Sequence, residues 1–252
     1  MLLNYKILYL YALKVKCMLE HVNIEKVLFL DIETVPQYPD FNEVPGKMRK
    51  LWEHKALRLS SNEEETPESL YERAGIYAEF GKIICISVGF IHNYSLRIKS
   101  FSGDDEKTLL REFGEMLNNN FSRQNTLLCA HNGKEFDFPY ISRRMLVNLL
   151  PLPDLLDIAG KKPWEVQHLD TMELWKFGDY KSYTSLALLT EIFGIPTPKD
   201  DIDGSQVGQV YWKENDLNRI VTYCQKDVVA IAQLLLRYKG MELIEDQNVI
   251  FL

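Results

Sequence analysis

The sequence predicts an α/β fold in which one mixed central β-sheet is flanked by α-helices. Val27-Leu28-Phe29-Leu30 is apolar on both faces, as a central strand covered from both sides must be. Two more strand-like runs follow, and a helical repeat then leads to a fourth apolar run. Helices dominate the rest, an order that fits one sheet with a helix layer on each face. The 252 residues, 46% of them hydrophobic, suffice for a substantial core.

Taken in order, residues 1–25 read as an N-terminal extension. Its apolar stretch is interrupted by Lys6, Lys14 and Lys16, and Met18 offers an alternative start. A signal peptide is disfavoured because no small-residue cleavage pattern follows. Residues 26–240 form the expected single domain, and 241–252 a C-terminal tail. After the first strand, Pro36, Pro39 and Pro45 and the acidic stretch Asn62-Glu63-Glu64-Glu65 mark a surface excursion over 40–80, with helices expected at roughly 46–58 and 67–78. Lys82 to Phe90 and Tyr94 to Phe101 read as a β-hairpin turning at His92-Asn93.

Gly103-Asp104-Asp105-Glu106 then starts a helix, with Leu109, Leu110, Phe113, Met116 and Leu117 at helical spacing. Thr126 to Ala130 is a buried strand. Tyr140, Ile141, Met145 and Leu149 mark a helix that stops before Pro151. A short strand is expected near Gln167 to Asp170 and a helix from Ser185 to Phe193, ending at Gly194. After a loop through Asp200 to Gly204, a long helix over about 214–238 carries the stripe Leu217, Ile220, Val221, Cys224, Val228, Ile231 and Leu235.

Composition removes several functions. A net charge of -7 argues against wrapping long duplex, which requires many Lys and Arg contacts to phosphate, but leaves room for an enzyme that grips a few nucleotides. Cys17, Cys85, Cys129 and Cys224 show no paired spacing and read as reduced thiols, so a cytoplasmic protein is expected. No run of roughly 18 apolar residues predicts a membrane span. The five histidines lack zinc-hydrolase spacing, and neither a phosphate-binding P-loop, a dinucleotide fingerprint nor a serine elbow is present.

Three short motifs carry the chemistry. Asp31 and Glu33, two apart at the end of a strand, project to one face, although a D-x-E there is equally a cap for the following loop. Asn132-Gly133 makes a tight turn, and Asp137 opens a helix, where a carboxylate also serves as an N-terminal cap. Tyr223 and Asp227 lie four apart on one helix face, at the border of its apolar stripe. A tyrosine there is often a satisfied core residue; a carboxylate facing a sheet is costly unless paired or holding a metal. All three elements can bring their acids to one end of the sheet.

In these motifs the chain resembles the 3′–5′ exonucleases of the ribonuclease-H-like superfamily that carry four acids and a tyrosine, and is most similar to the proofreading domain of family B DNA polymerases. The resemblance rests on Asp31-Ile32-Glu33-Thr34, on Asn132 through Asp137 with Pro139-Tyr140 and Arg143-Arg144, and on Tyr223-Cys224-Gln225-Lys226-Asp227, and covers roughly residues 26–240. The sister group has a histidine five residues before the last aspartate, where this chain has Thr222. No polymerase motifs follow, so the resemblance is to a stand-alone exonuclease.

The resemblance implies a ribonuclease-H-like three-layer fold and two Mg²⁺ or Mn²⁺ ions held by Asp31, Glu33, Asp137 and Asp227. Tyr223 would align the attacking water, and the substrate would be nucleic acid with a free 3′ end, single-stranded DNA first. Backbone groups of Ile32 and Thr34, with Asn132 and Phe136, are the implied nucleotide contacts, although a phenylalanine such as Phe136 is more often simply core. Lys134, Arg143 and Arg144 read as a solvated helix face more than a phosphate clamp, and Asp170 as structural or as support for the site. The alternatives are a catalytically silent nucleic-acid-binding or scaffold module that keeps the fold and an exoribonuclease with the same chemistry. Protein partners are not legible.

Overall fold

The computed structural model describes residues 19–179, 181–196 and 202–252, so most of the extension expected over residues 1–25, with the alternative start at Met18, lies outside the described residues. The central strand is β1 (Val27–Pro36), which pairs antiparallel with β2 (Gly81–His92). β2 continues antiparallel into β3 (Ser95–Ser102), while β4 (Leu127–Ala130) lies parallel to β1. β5 (Leu169–Asp170) and β6 (Val249–Phe251) are added in parallel at the two edges, giving the order β5-β4-β1-β2-β3-β6. The segment read as a tail therefore contains an edge strand.

The helices are α1 (Gly46–Leu59), α2 (Glu106–Asn120), α3 (Asp137–Val147), α4 (Thr171–Lys176), α5 (Leu186–Ile192), α6 (Val207–Gln209) and α7 (Leu217–Tyr238). α6 runs on as a π-helical turn at Val210–Glu214, between the loop expected through Asp200 to Gly204 and the long helix expected from about 214, a stretch for which no element was expected. No helix among the described residues is long and apolar enough to cross a membrane.

Side-chain alternation along β1 builds the three layers. Leu28, Leu30 and Ile32 join Leu110, Phe113 and Ile141 of α2 and α3 on one face. Val27 and Phe29 join Val228, Ile231 and Leu235 of α7 on the other. Each such fully buried side chain contributes roughly 1.5–3 kcal/mol of transfer free energy, so β1 is fixed from both sides. Buried Arg144 of α3 ties the first layer together. It pairs with Glu106 at 2.6 Å and donates to the Ala78 carbonyl at 2.8 Å, while Glu106 also accepts from the Ile83 N–H at 2.8 Å. Arg144 is thus neither a solvated residue nor a phosphate clamp.

The excursion after β1 has its own small core. Trp52 of α1 is fully buried against Tyr71 and Phe80 and donates to the Pro67 carbonyl at 2.7 Å. Its second helix is a 3-10 helix, Ser69–Ile76, shorter than the 67–78 expected. Gly75 lets it lie directly on β1, since a Cβ there would sit 2.9 Å from the Val35 carbonyl carbon. The hairpin turns at Asn93-Tyr94, one residue later than expected. Both residues have positive φ (49° and 59°), the sign that a tight hairpin turn demands.

Candidate active site

Asp31 and Glu33 continue the face begun by Val27 and Phe29, so both carboxylates leave β1 on the side covered by α7. One helical turn before Val228, the buried stripe of α7 carries Cys224. There the thiol donates to the Asp31 carbonyl oxygen at 3.4 Å. Its neighbour Tyr223 and, four residues on, Asp227 thereby overlook the acidic pair. A register shift between Glu33 and Thr34 bends β1 just beyond the second acid, as bulges beside sites do.

Asp137 arrives by a different route. β4 ends at Ala130, and the chain turns through Asn132 at φ 64° and Gly133, where a Cβ would stand 2.4 Å from that of Ala130. Asp170, buried at the end of β5, pins this turn. Its carboxylate accepts the N–H groups of Asn132 (3.0 Å) and Lys134 (3.1 Å), and also caps α4 by accepting from Met172 (3.0 Å) and Glu173 (3.2 Å). Phe136 occupies the cap position of α3 and Asp137 its first helical residue, so the expected capping role falls one residue away. Because β4 pairs with β1 only at Val27 to Phe29, that edge of β1 is not paired with β4 further on, and the Ile32 N–H meets the Asp137 carboxylate.

The electrostatics of this cluster are unfavourable in the absence of cations. Burial raises the carboxyl of Asp31 well above the usual range, and the charges of Asp227, Glu33 and Asp137 raise it further. Glu33, only 7% exposed, is raised by burial and then by Asp227, with smaller contributions from Cys85 and Asp137. Asp137, 3% exposed, is pushed up to about 8, mainly by burial, although its own and the Ile32 backbone N–H favour the anion. Tyr223 donates to Asp227, and burial together with the three neighbouring carboxylates raises its hydroxyl. Among the described residues no cation pairs with Asp31, Glu33 or Asp137.

Such a set fits divalent cations. The oxygens of Asp31 and Glu33 and the sulfur of Cys224 lie within 4.8 Å of one another, and carboxylate oxygen is the ligand that Mg²⁺ and Mn²⁺ prefer. Charge that is costly when unpaired becomes favourable around a metal.

Asp31, Ile32, Glu33, Thr34, Tyr223 and Asp227 line a cleft of about 510 Å³ that Phe136 also borders. Phe136 has a double position, packed 5.3 Å from the Tyr140 ring and facing the cleft. Thr34 hydrogen-bonds the hydroxyl of Tyr140, which donates to the Gly75 carbonyl at 2.6 Å. The Asn132 side-chain oxygen is buried without a hydrogen-bond partner among the described residues. Lys134 pairs with Glu173 at 2.6 Å, and Arg143 is exposed. Sequence reasoning did not place Arg73, Ile76, Ser205 and Gly208 in the cleft. They come from segments with no motif, and only the packing of Gly75 on β1 brings the first two there.

A family described as a predicted 3′–5′ exonuclease related to the exonuclease domain of PolB matches residues 76–248. The match includes Asp137, Tyr223 and Asp227 and begins beyond Asp31 and Glu33. Among solved structures, the family B DNA polymerase of the hyperthermophilic archaeon Pyrobaculum calidifontis is similar over 83% of this chain, with 18% identity and a TM-score of 0.49. The similarity spans 24% of that polymerase. No curated protein matches.

Proposed function

The chain belongs to the family of predicted 3′–5′ exonucleases related to the exonuclease domain of PolB, and from that premise we propose that it hydrolyses phosphodiester bonds from the 3′ end of nucleic acid, single-stranded DNA first, releasing nucleoside 5′-monophosphates. The observation that carries this reading is the convergence of Asp31 and Glu33 of β1, Asp137 of α3 and Asp227 of α7, in which burial and neighbouring negative charge raise the carboxyls of the first three and no cation among the described residues pairs with those three.

Asp31, Glu33 and Asp227 would hold one Mg²⁺ or Mn²⁺, and Asp31 with Asp137 a second. Bound there, the cations would lower the pKa of a water and neutralise charge developing on the phosphate. Tyr223, anchored by its hydrogen bond to Asp227, orients the attacking water and does not ligate. Phe136 presents a ring on which any base can stack, which suits an enzyme that must digest every sequence. The backbone of Ile32 and Thr34, which line the cleft, supplies the proposed polar contacts to the terminal nucleotide, with Asn132, whose buried oxygen has no partner among the described residues and which does not line the cleft, as a further proposed contact.

A 5′-labelled oligonucleotide incubated with the protein and Mg²⁺ or Mn²⁺ should yield a descending ladder that EDTA stops, with monophosphates as the released product. Folded protein that leaves the oligonucleotide intact with both metals would overturn the proposal. Comparing DNA with RNA in the same assay sets the substrate preference, since contacts to the 2′-OH decide it.

A further inference from the structure

Building on the exonuclease reading, we propose that Arg73 grips the phosphodiester on the 5′ side of the scissile bond, so that the 3-10 helix Ser69–Ile76 forms the substrate-gripping wall of the cleft. The first support is charge. Every other charged side chain lining the cleft among the described residues is acidic, namely Asp31, Glu33, Glu72 and Asp227. The carboxylates would hold cations for the phosphate being cut, whereas the next phosphate along the strand needs a positive charge from the protein itself. Among the described residues that line the cleft, Arg73 is the one basic group to supply it.

Its availability is the second support. Arg73 is exposed and has no ion-pair or hydrogen-bond partner among the described residues. A guanidinium fork matches two phosphate oxygens at once, and an exposed one is free to do so.

Rigid placement is the third. A swinging loop would hold an arginine too loosely to define a subsite. Here the Gly75 backbone is pressed against Val35 and Pro36 of β1, and its carbonyl accepts from Tyr140 of α3 at 2.6 Å. The strand carrying Asp31 and Glu33 and the helix carrying Asp137 thus both hold the segment that carries Arg73. Two residues after Gly75's neighbour Ala74, half-exposed Ile76 adds apolar surface to the same cleft as Phe136, where bases would lie.

The test compares wild type, Arg73→Ala and Arg73→Lys on an eight-residue oligothymidylate and on the p-nitrophenyl ester of thymidine 5′-monophosphate, which has no second phosphate. Arg73→Ala should raise KM for the oligonucleotide about tenfold, the loss expected of one charge-assisted contact, and leave the small ester unchanged. The slope of log affinity against log salt should flatten by about 0.7, one phosphate contact on a single strand. Arg73→Lys should recover part of both. Equal losses on the two substrates, or an Arg73→Ala protein with wild-type KM and salt slope, would overturn the proposal.

Oligonucleotide binding, followed by fluorescence anisotropy in Ca²⁺ with a phosphorothioate at the terminal linkage, separates this idea from the reading it rests on. Weakened binding by Arg73→Ala, with no cleavage by wild type in Mg²⁺ or Mn²⁺, supports the phosphate contact and rejects the exonuclease. Cleavage with unaltered binding rejects the contact alone.

Discussion

Neutralising Asp137 should stabilise the metal-free protein while removing its activity. The carboxyl is moved from its ordinary 3.8 to about 8, chiefly because it is buried. The sign follows from linkage: the folded state holds this proton more tightly than the unfolded one, so stability is lost as pH rises from about 4 to about 8. At pH 7 the unfolded carboxyl has passed its own pKa by about 3 pH units at about 1.4 kcal/mol each, so keeping Asp137 folded costs up to about 4 kcal/mol. Asn has the same shape, carries no charge and can still accept the Ile32 N–H. Asp137→Asn should therefore match wild type near pH 4 and exceed it by about 2 kcal/mol or more at pH 8, allowing half of the limit for relaxation. Urea denaturation in EDTA at pH 4, 6 and 8, read by circular dichroism, measures this directly. A variant no more stable than wild type at pH 8, or one with the same pH slope, would refute the claim that the cluster is electrostatically strained.

Divalent cations should reverse the same pH dependence. Because they compete with protons for raised carboxyls, the gain in Tm from Mn²⁺ should be larger at pH 8 than at pH 5.5, reaching the equivalent of about 2.7 kcal/mol at a hundredfold excess over Kd; differential scanning fluorimetry reads it, and a gain that shrinks with pH would contradict it. Tyr223→Phe should lower kcat at least about tenfold with little change in KM, and Asp227→Ala should reduce cleavage below detection, since one orients and the other ligates; steady-state kinetics in Mn²⁺ separate the two roles. Asp170→Ala orphans four backbone N–H groups and removes the cap of α4, so a loss of about 3 kcal/mol or more in denaturant stability is expected.

Much of the fold is legible because local pattern and burial agree. β1 reads as central from four apolar residues in a row, α7 from an unbroken stripe, and Asp105 caps α2 where an acidic start was expected. What local pattern missed was fixed by distant contacts. β6 has only three residues and exists because β3 offers an unpaired edge. The π-helical turn of α6 forms where Tyr211 bonds Asp104 and Trp212 bonds the Pro36 carbonyl, partners more than a hundred residues away. The acids and Tyr223 were visible as motifs. Arg73 was not, since its relation to the cleft depends on how closely one glycine approaches a strand.

The molecule contains two kinds of buried acid, and the difference between them bears on function. Glu106 and Asp170 are each supplied with donors. Glu106 accepts from Arg144, Asn148 and the Ile83 N–H, and Asp170 from four backbone N–H groups. These two fasten elements together, and it is Asp170 that sets the turn leading to Asp137. Glu33 is equally enclosed and Asp31 half-buried, yet among the described residues they receive no cation and almost no donors, and they face further negative charge at Asp227 and Asp137. A fold able to satisfy Glu106 so fully has the means to satisfy these as well. Leaving them unsatisfied costs stability, which is the usual sign that strain is retained for a ligand. A structural role for the cluster would thus require that removing its charge weaken the protein, the reverse of what Asp137→Asn should do.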